Sequence, residues 1–228
     1  CFGCDIDYSL GKNFADFADQ FSKDSRYRTE LYKLRRKFMS HADGLIHADL
    51  HTSNIMASRD KMKVIDMEFA FMGPFGYDLG YLVGNLISQY CAACFKRFPS
   101  EQSRKQFKAY LLAKIKSLIE TYMKTFTLCW EKSVKERYRG QQGLLQSILQ
   151  EVMEDVPGYA SMVNWFRSVS EIPYPDFDII EDKDAKRNAT VLSLMIDWGI
   201  MFGRYKYQSA DDLIETIIGI EEEFRKSL

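Results

Sequence analysis

Between His47 and Glu68 the chain places four oxygen-bearing side chains, Asp49, Asn54, Asp66 and Glu68, within one segment of alternating loop and strand character. Asn54–Ala57 and Met62–Asp66 read as two short strands, with Ser58-Arg59-Asp60-Lys61 as the hairpin turn between them. All four side chains therefore fall on a loop or at strand ends, held by a minimal hairpin.

The remainder of the pattern is helical. Leu31, Leu34 and Phe38 recur at helical spacing from Thr29 to Met39, and Asp43-Gly44 then turns the chain into Leu45-Ile46-His47. Gly73-Pro74-Phe75-Gly76 breaks it again before an apolar helix from about Asp78 to Phe95. A long amphipathic pattern follows from Glu101 to about Arg139, where Phe107, Leu111, Ile115, Leu118, Tyr122 and Phe126 step by three or four. Beyond the break at 140–143, helices are expected over 144–155 and 159–170, then an irregular stretch (172–175), and helices near 182–204 and from Ser209 to Lys226. The fold class expected is mainly α (α+β), with residues 1–28 a poorly defined N-terminal segment and 29–228 one helical unit.

The loop residues His47-x-Asp49-Leu50-x-x-x-Asn54 fit the catalytic-loop pattern of kinases, and the apolar run Met62-Lys63-Val64-Ile65 ends on Asp66 where that fold expects a metal-binding carboxylate. Phosphoryl transfer needs positioning and charge neutralisation more than covalent help. Asp49 is the candidate to orient the acceptor hydroxyl and take its proton. Asn54 supplies a neutral oxygen and Asp66 a charged one for magnesium, which favours hard oxygen ligands shared with nucleotide phosphates. Glu68, two residues on, would share Asp66's side of an extended segment and add a metal-binding carboxylate. His47 reads as a brace beneath the loop, and Asp78 as a cap for the following helix that also fixes the loop behind the metal site. The three histidines, His41, His47 and His51, lack the Glu arrangement of the helical zinc proteases.

The fold these motifs imply carries a glycine-rich nucleotide loop and a strand-borne Lys ahead of the catalytic loop, yet only 46 residues precede His47. The expectation is the helical C-terminal lobe of a protein-kinase-like fold with its small catalytic β hairpin, lacking the N-terminal nucleotide lobe. Metal ligands without a phosphate clamp bind Mg-ATP weakly, so this chain alone is expected to be inactive or weakly active. A net charge of −1 gives no field to draw in nucleic acid or membrane. No apolar stretch reaches a membrane span, and no signal-peptide core is evident. Cys1/Cys4 and Cys91/Cys94 form CxxC pairs, but the second pair lies in a helical apolar pattern where buried thiols are common. Reduced thiols point to a cytoplasmic setting.

The segments Phe38–Thr52, Val64–Phe71 and Gly73–Gly80 with Gly84-Asn85-Leu86 resemble the methylthioribose kinases of the aminoglycoside and choline phosphotransferase clan, as do Gly158-Tyr159-Ala160 to Arg167 and Ile180-Glu181-Asp182. The resemblance implies ATP-dependent phosphorylation of a thiosugar in methionine salvage, with Asp49 catalytic and Asp66 and Glu68 on magnesium. Asp-x-Glu in place of the protein-kinase Asp-Phe-Gly argues for a small-molecule acceptor. Three positions depart from the family: Ala48 stands where Gly is usual, Asn54 where Ser is frequent, and Phe166-Arg167 where a substrate-binding Arg pair is expected. Only Arg167 thus carries the substrate-binding role. A choline- or aminoglycoside-type phosphotransferase, whose acceptor Phe166 and Trp165 would suit, and a non-catalytic pseudokinase-like binding module are the alternatives. Apolar surface left uncovered on such a lobe would favour a homodimer.

Overall fold

A computed structural model describes residues 16, 18–20, 23–169 and 175–228 of the chain. Among the described residues the long helices are α1 (Ser25–Ser40), α2 (Tyr77–Phe95), α3 (Glu101–Ser133), α4 (Gln142–Val169), α6 (Lys183–Gly203) and α7 (Ala210–Ser227), with a short α5 at Pro175–Asp178. Two small antiparallel ladders complete the set. β1 (Gly44–Ile46) pairs with β4 (Phe71–Gly73), and β2 (Ile55–Ala57) pairs with β3 (Met62–Val64). The mainly α expectation, a helical lobe with small β hairpins, is borne out.

Capping explains several boundaries. Asp24 accepts the Arg26 and Tyr27 amides and starts α1 four residues before the expected Thr29. Ser100 caps α3, Asp182 caps α6, and Ser209 with Asp212 forms a reciprocal capping box on α7. The pattern read as one helix to Arg139 stops at Ser133, and a 3₁₀ turn follows at Glu136–Tyr138. The two helices expected over 144–155 and 159–170 are one, α4, which runs through Pro157. Proline removes a backbone bond and crowds the preceding turn. Here Asp155 to Trp165 is buried throughout, so packing on several sides holds the helix across that defect. Residues 1–15 and 170–174 lie outside the described residues, and with them the Cys1/Cys4 pair and most of the irregular stretch. Cys91 and Cys94 are free and buried on α2.

The core centres on α2 packed against α4, flanked by α3, α6 and α7. Two glycines bring α2 in close. A Cβ at Gly80 would lie 2.7 Å from Tyr159 Cβ, and one at Gly84 2.8 Å from the Ala160 carbonyl oxygen. A buried polar chain ties the same elements together: Ser88 Oγ donates to Asn164 Oδ1 (2.5 Å), and Asn164 Nδ2 donates to Asp197 Oδ1 (2.6 Å). A second apolar cluster of Leu34, Ile46, Tyr77, Tyr159, Met162 and Trp165 joins α1, β1, α2 and α4. This is the floor on which the loop at 47–54 rests.

Candidate active site

β1 delivers the chain to His47, and the loop that follows is fastened from three directions. From α2, Asp78 accepts the His47 amide at 2.6 Å and the Ala48 amide at 3.0 Å. From within, the His47 ring, 5 % exposed, has Nε2 at 2.8 Å from the Ile65 carbonyl. With Nε2 as donor there, Nδ1 accepts the Asp49 amide at 3.3 Å. At the far end Asn54, also 5 % exposed, donates from Nδ2 to the Asp49 carbonyl at 3.0 Å, and its own carbonyl accepts the Ile65 amide. Asn85 Oδ1 accepts the Thr52 amide at 3.3 Å.

These contacts hold Ala48 at φ +68°, a left-handed conformation that costs an L-residue roughly 1–2 kcal/mol. Glycine would adopt it freely, which gives a physical meaning to the Ala48 departure. Asp66 is the other non-glycine residue with positive φ, at +66°, among the described residues. β3 ends at Val64, and a turn closed by the Ala70 amide on the Met67 carbonyl follows. The extended segment assumed for Asp66 and Glu68 is therefore absent, and the two-residue alternation that put both side chains on one side does not apply. Asp78 also does not cap α2. Gly76 holds the N-cap position, and the Asp78 carboxylate, inside the first turn, is spent on the loop. Burial holds the Asp78 carboxyl above its ordinary range, in spite of the bonds from His47 and Ala48.

Asp49 opens into a cleft of about 320 Å³ lined also by Ala48, Phe69, Tyr77, Tyr81, Phe166 and Arg167, with Met162 and Val163 at its base. His51 Nε2 stands 3.5 Å from Asp49 Oδ2. Arg167, another of the lining residues, donates from Nε to Asp176 Oδ2 at 2.8 Å, and Gln89 bonds the other carboxylate oxygen. The guanidinium is thus aimed by α5 and charge-matched before any ligand arrives. The structure brings Asp49 and Arg167 to one cleft, with His47 and Asp78 behind the loop. Asp66 and Glu68 lie exposed beyond β3, outside the residues that line that cleft.

A hard divalent cation suits this donor set. Asn54 commits Nδ2 to the Asp49 carbonyl, which leaves Oδ1 as the atom free to meet a cation, and Asp66 and Glu68 present exposed carboxylates. Among the described residues no three His, Cys, Asp or Glu side chains form a ready-made cage. A metal that completes its shell with phosphate oxygens and water needs no such cage.

Sequence reasoning passed over Tyr81 and Asn85 as chemistry-bearing residues. Their signal is the spacing Asp78, Tyr81, Asn85, which marks a polar stripe along an otherwise apolar helix.

Residues 8–116, which carry the His-x-Asp loop, the small hairpin and the helix that grips the loop, match the phosphotransferase enzyme family. More particularly, the chain is similar to methylthioribose kinases. It is 32 % identical over 198 residues to the methylthioribose kinase of Geobacillus thermodenitrificans, covering 87 % of this chain and 48 % of that protein. It is 33 % identical over 190 residues to that of Geobacillus kaustophilus (83 % and 46 %), and 28 % over 195 residues to that of Exiguobacterium sibiricum (86 % and 48 %). The family resemblance read from the motifs is borne out. The chain spans about half the length of these relatives. Among the described residues no helix is long and apolar enough to cross a membrane.

Proposed function

We propose that residues 29–228 form the C-terminal, catalytic lobe of an ATP-dependent small-molecule kinase that passes the γ-phosphate of ATP to a sugar hydroxyl, most like that of S-methyl-5-thioribose, in the cytoplasm. The observation that carries this reading is the fastened loop. Five hydrogen bonds, from Asp78 (two), His47 (two) and Asn54, fix the backbone at 47–49, where Asp49 lines the cleft. Preorganisation of this kind is what in-line transfer requires of the protein.

In this reading Asp49 accepts the acceptor's hydroxyl hydrogen bond and takes its proton as the oxygen attacks phosphorus. Arg167, aimed by Asp176, binds polar groups of the acceptor, and the apolar base at Met162 and Val163 receives its thioether arm. Asn54, Asp66 and Glu68 hold magnesium, which when bound neutralises phosphate charge. The lobe by itself binds Mg-ATP weakly, because this part of the chain supplies ligands without a phosphate cover.

Calorimetric titration with methylthioribose, choline and an aminoglycoside tests the acceptor class directly, whatever the turnover. Methylthioribose is expected to bind, and Arg167→Ala to weaken it about tenfold, the worth of one charge-assisted bond. Binding of choline alone overturns the sugar assignment. It would favour the second reading, an amino-alcohol kinase, for which the aromatic walls Phe69, Tyr77, Tyr81 and Phe166 speak.

A further inference from the structure

Asp78, Tyr81 and Asn85 recur along α2 at the spacing of one helix face. Two of them hold the loop by its backbone: Asp78 takes the His47 and Ala48 amides, and Asn85 takes the Thr52 amide while donating from Nδ2 to the Tyr81 carbonyl at 3.0 Å. Between them stands Tyr81, on the same helix face and so turned towards the same loop. Its ring and Asp49 line the same cleft, and Tyr77 packs edge-on against that ring at 6.1 Å. Ionisation of the Tyr81 hydroxyl is opposed first by burial and then by Asp49, through its charge and through hydrogen bonding to its side chain.

We propose that Tyr81 is a positioning residue: its phenolic O–H is held on the Asp49 carboxylate and fixes the rotamer that presents the other carboxylate oxygen to the acceptor hydroxyl. The inference rests on Asp49 being the acceptor's carboxylate. A carboxylate has two equivalent oxygens and two free torsions, so one donor on one oxygen selects the orientation of the other. The neighbouring candidates are engaged elsewhere or placed differently. Asn54 Nδ2 bonds the Asp49 backbone carbonyl, Arg167 pairs with Asp176, and His51 approaches Oδ2 at 3.5 Å from the loop itself. Tyr81 supplies its donor from the rigid helix, where packing against Tyr77 limits ring rotation. Its ring also forms part of the cleft wall, so one residue both aims the carboxylate and shapes the space beside it.

The test is ¹³C NMR of the chain carrying tyrosine labelled at Cζ, whose shift reports the bonding of the hydroxyl. The Tyr81 resonance is identified by its loss in Tyr81→Phe. At neutral pH, Asp49→Asn and Asp49→Glu are both expected to displace it and to leave Tyr90, further along α2 on Glu221, in place. An unmoved Tyr81 resonance in both variants overturns the proposal, as does a displacement shared equally by Tyr90, which would report a general change of fold. Methylthioribose added to the parent chain should then move Tyr81 and Tyr77. If the sugar moves neither while Asp49→Asn moves Tyr81, the acceptor assignment fails and the Tyr81–Asp49 pairing stands.

Discussion

Removing the Asp78 carboxylate tests the fastening of the loop most sharply. Two backbone amides, His47 at 2.6 Å and Ala48 at 3.0 Å, end on its two oxygens. A hydrogen bond to a charged group contributes about 1.5–3 kcal/mol, so the pair contributes roughly 3–6 kcal/mol before costs. Burial of the carboxylate works against this, and its raised pKa says that burial is the larger influence on its ionisation. A net loss of about 2–3 kcal/mol on Asp78→Ala follows, with both amides left without a partner. The loss is local to the loop, so it belongs in native-state hydrogen exchange of the His47 and Ala48 amides. Protection there should fall about 30- to 150-fold at 1.4 kcal/mol per factor of ten. Adding Ala48→Gly should return about 1 kcal/mol, because glycine meets φ +68° without the left-handed penalty. Unchanged protection in Asp78→Ala would refute the reasoning, since the loop would then be held without its helix.

Three further outcomes follow from the packing and charge around the site. Burial alone would raise the Glu221 carboxyl, yet bonds from Lys108, Tyr90 and Arg225 bring it to about 2. Its contribution, on the order of 2–3 kcal/mol, is therefore present above pH 4.5 and lost as pH falls towards 2, and Glu221→Gln should flatten the urea-midpoint profile over that range. Asp197 is wholly buried with Oδ2 unpartnered, and burial pushes its carboxyl well above the ordinary value. A group raised in this way costs stability as pH rises above its unfolded value, so Asp197→Asn should stabilise the chain more at pH 8 than at pH 4, by urea unfolding; an equal effect at both contradicts it. Gly84→Val places a Cβ 2.8 Å from the Ala160 carbonyl oxygen and should cost about 1–3 kcal/mol in thermal unfolding, unless α2 and α4 part without penalty.

The helices are legible because their apolar residues repeat at the helical period over many turns, as in α3 and α7, and because Asp24, Ser100 and Ser209 sit at their starts. Pro157 misleads, since its local preference is overruled by burial that only the assembled core supplies. The β1–β4 ladder pairs three residues with three across an intervening loop and hairpin, too short for any alternation to show. Asp49 and Asn54 can be picked out by spacing because they lie five residues apart on one loop, where Asn54 Nδ2 closes on the Asp49 carbonyl. The left-handed turn at Asp66 cannot, because it is a backbone state chosen by the contacts around His47 and Ile65. Tyr81 is hidden for a further reason: a tyrosine in an apolar helix carries no mark of the cleft it lines.

The account depends most on Asp49 and the Asn54, Asp66 and Glu68 ligand set lying around one reacting phosphate. Manganese(II) with ATP, added to the Cζ-tyrosine-labelled chain, measures this directly, since the paramagnetic ion broadens only nearby resonances. Broadening of Tyr81 and Tyr77, the tyrosines beside Asp49, and its loss in Asp66→Asn are the predicted result. Broadening that spares both tyrosines, or that persists undiminished in Asp66→Asn, contradicts the site.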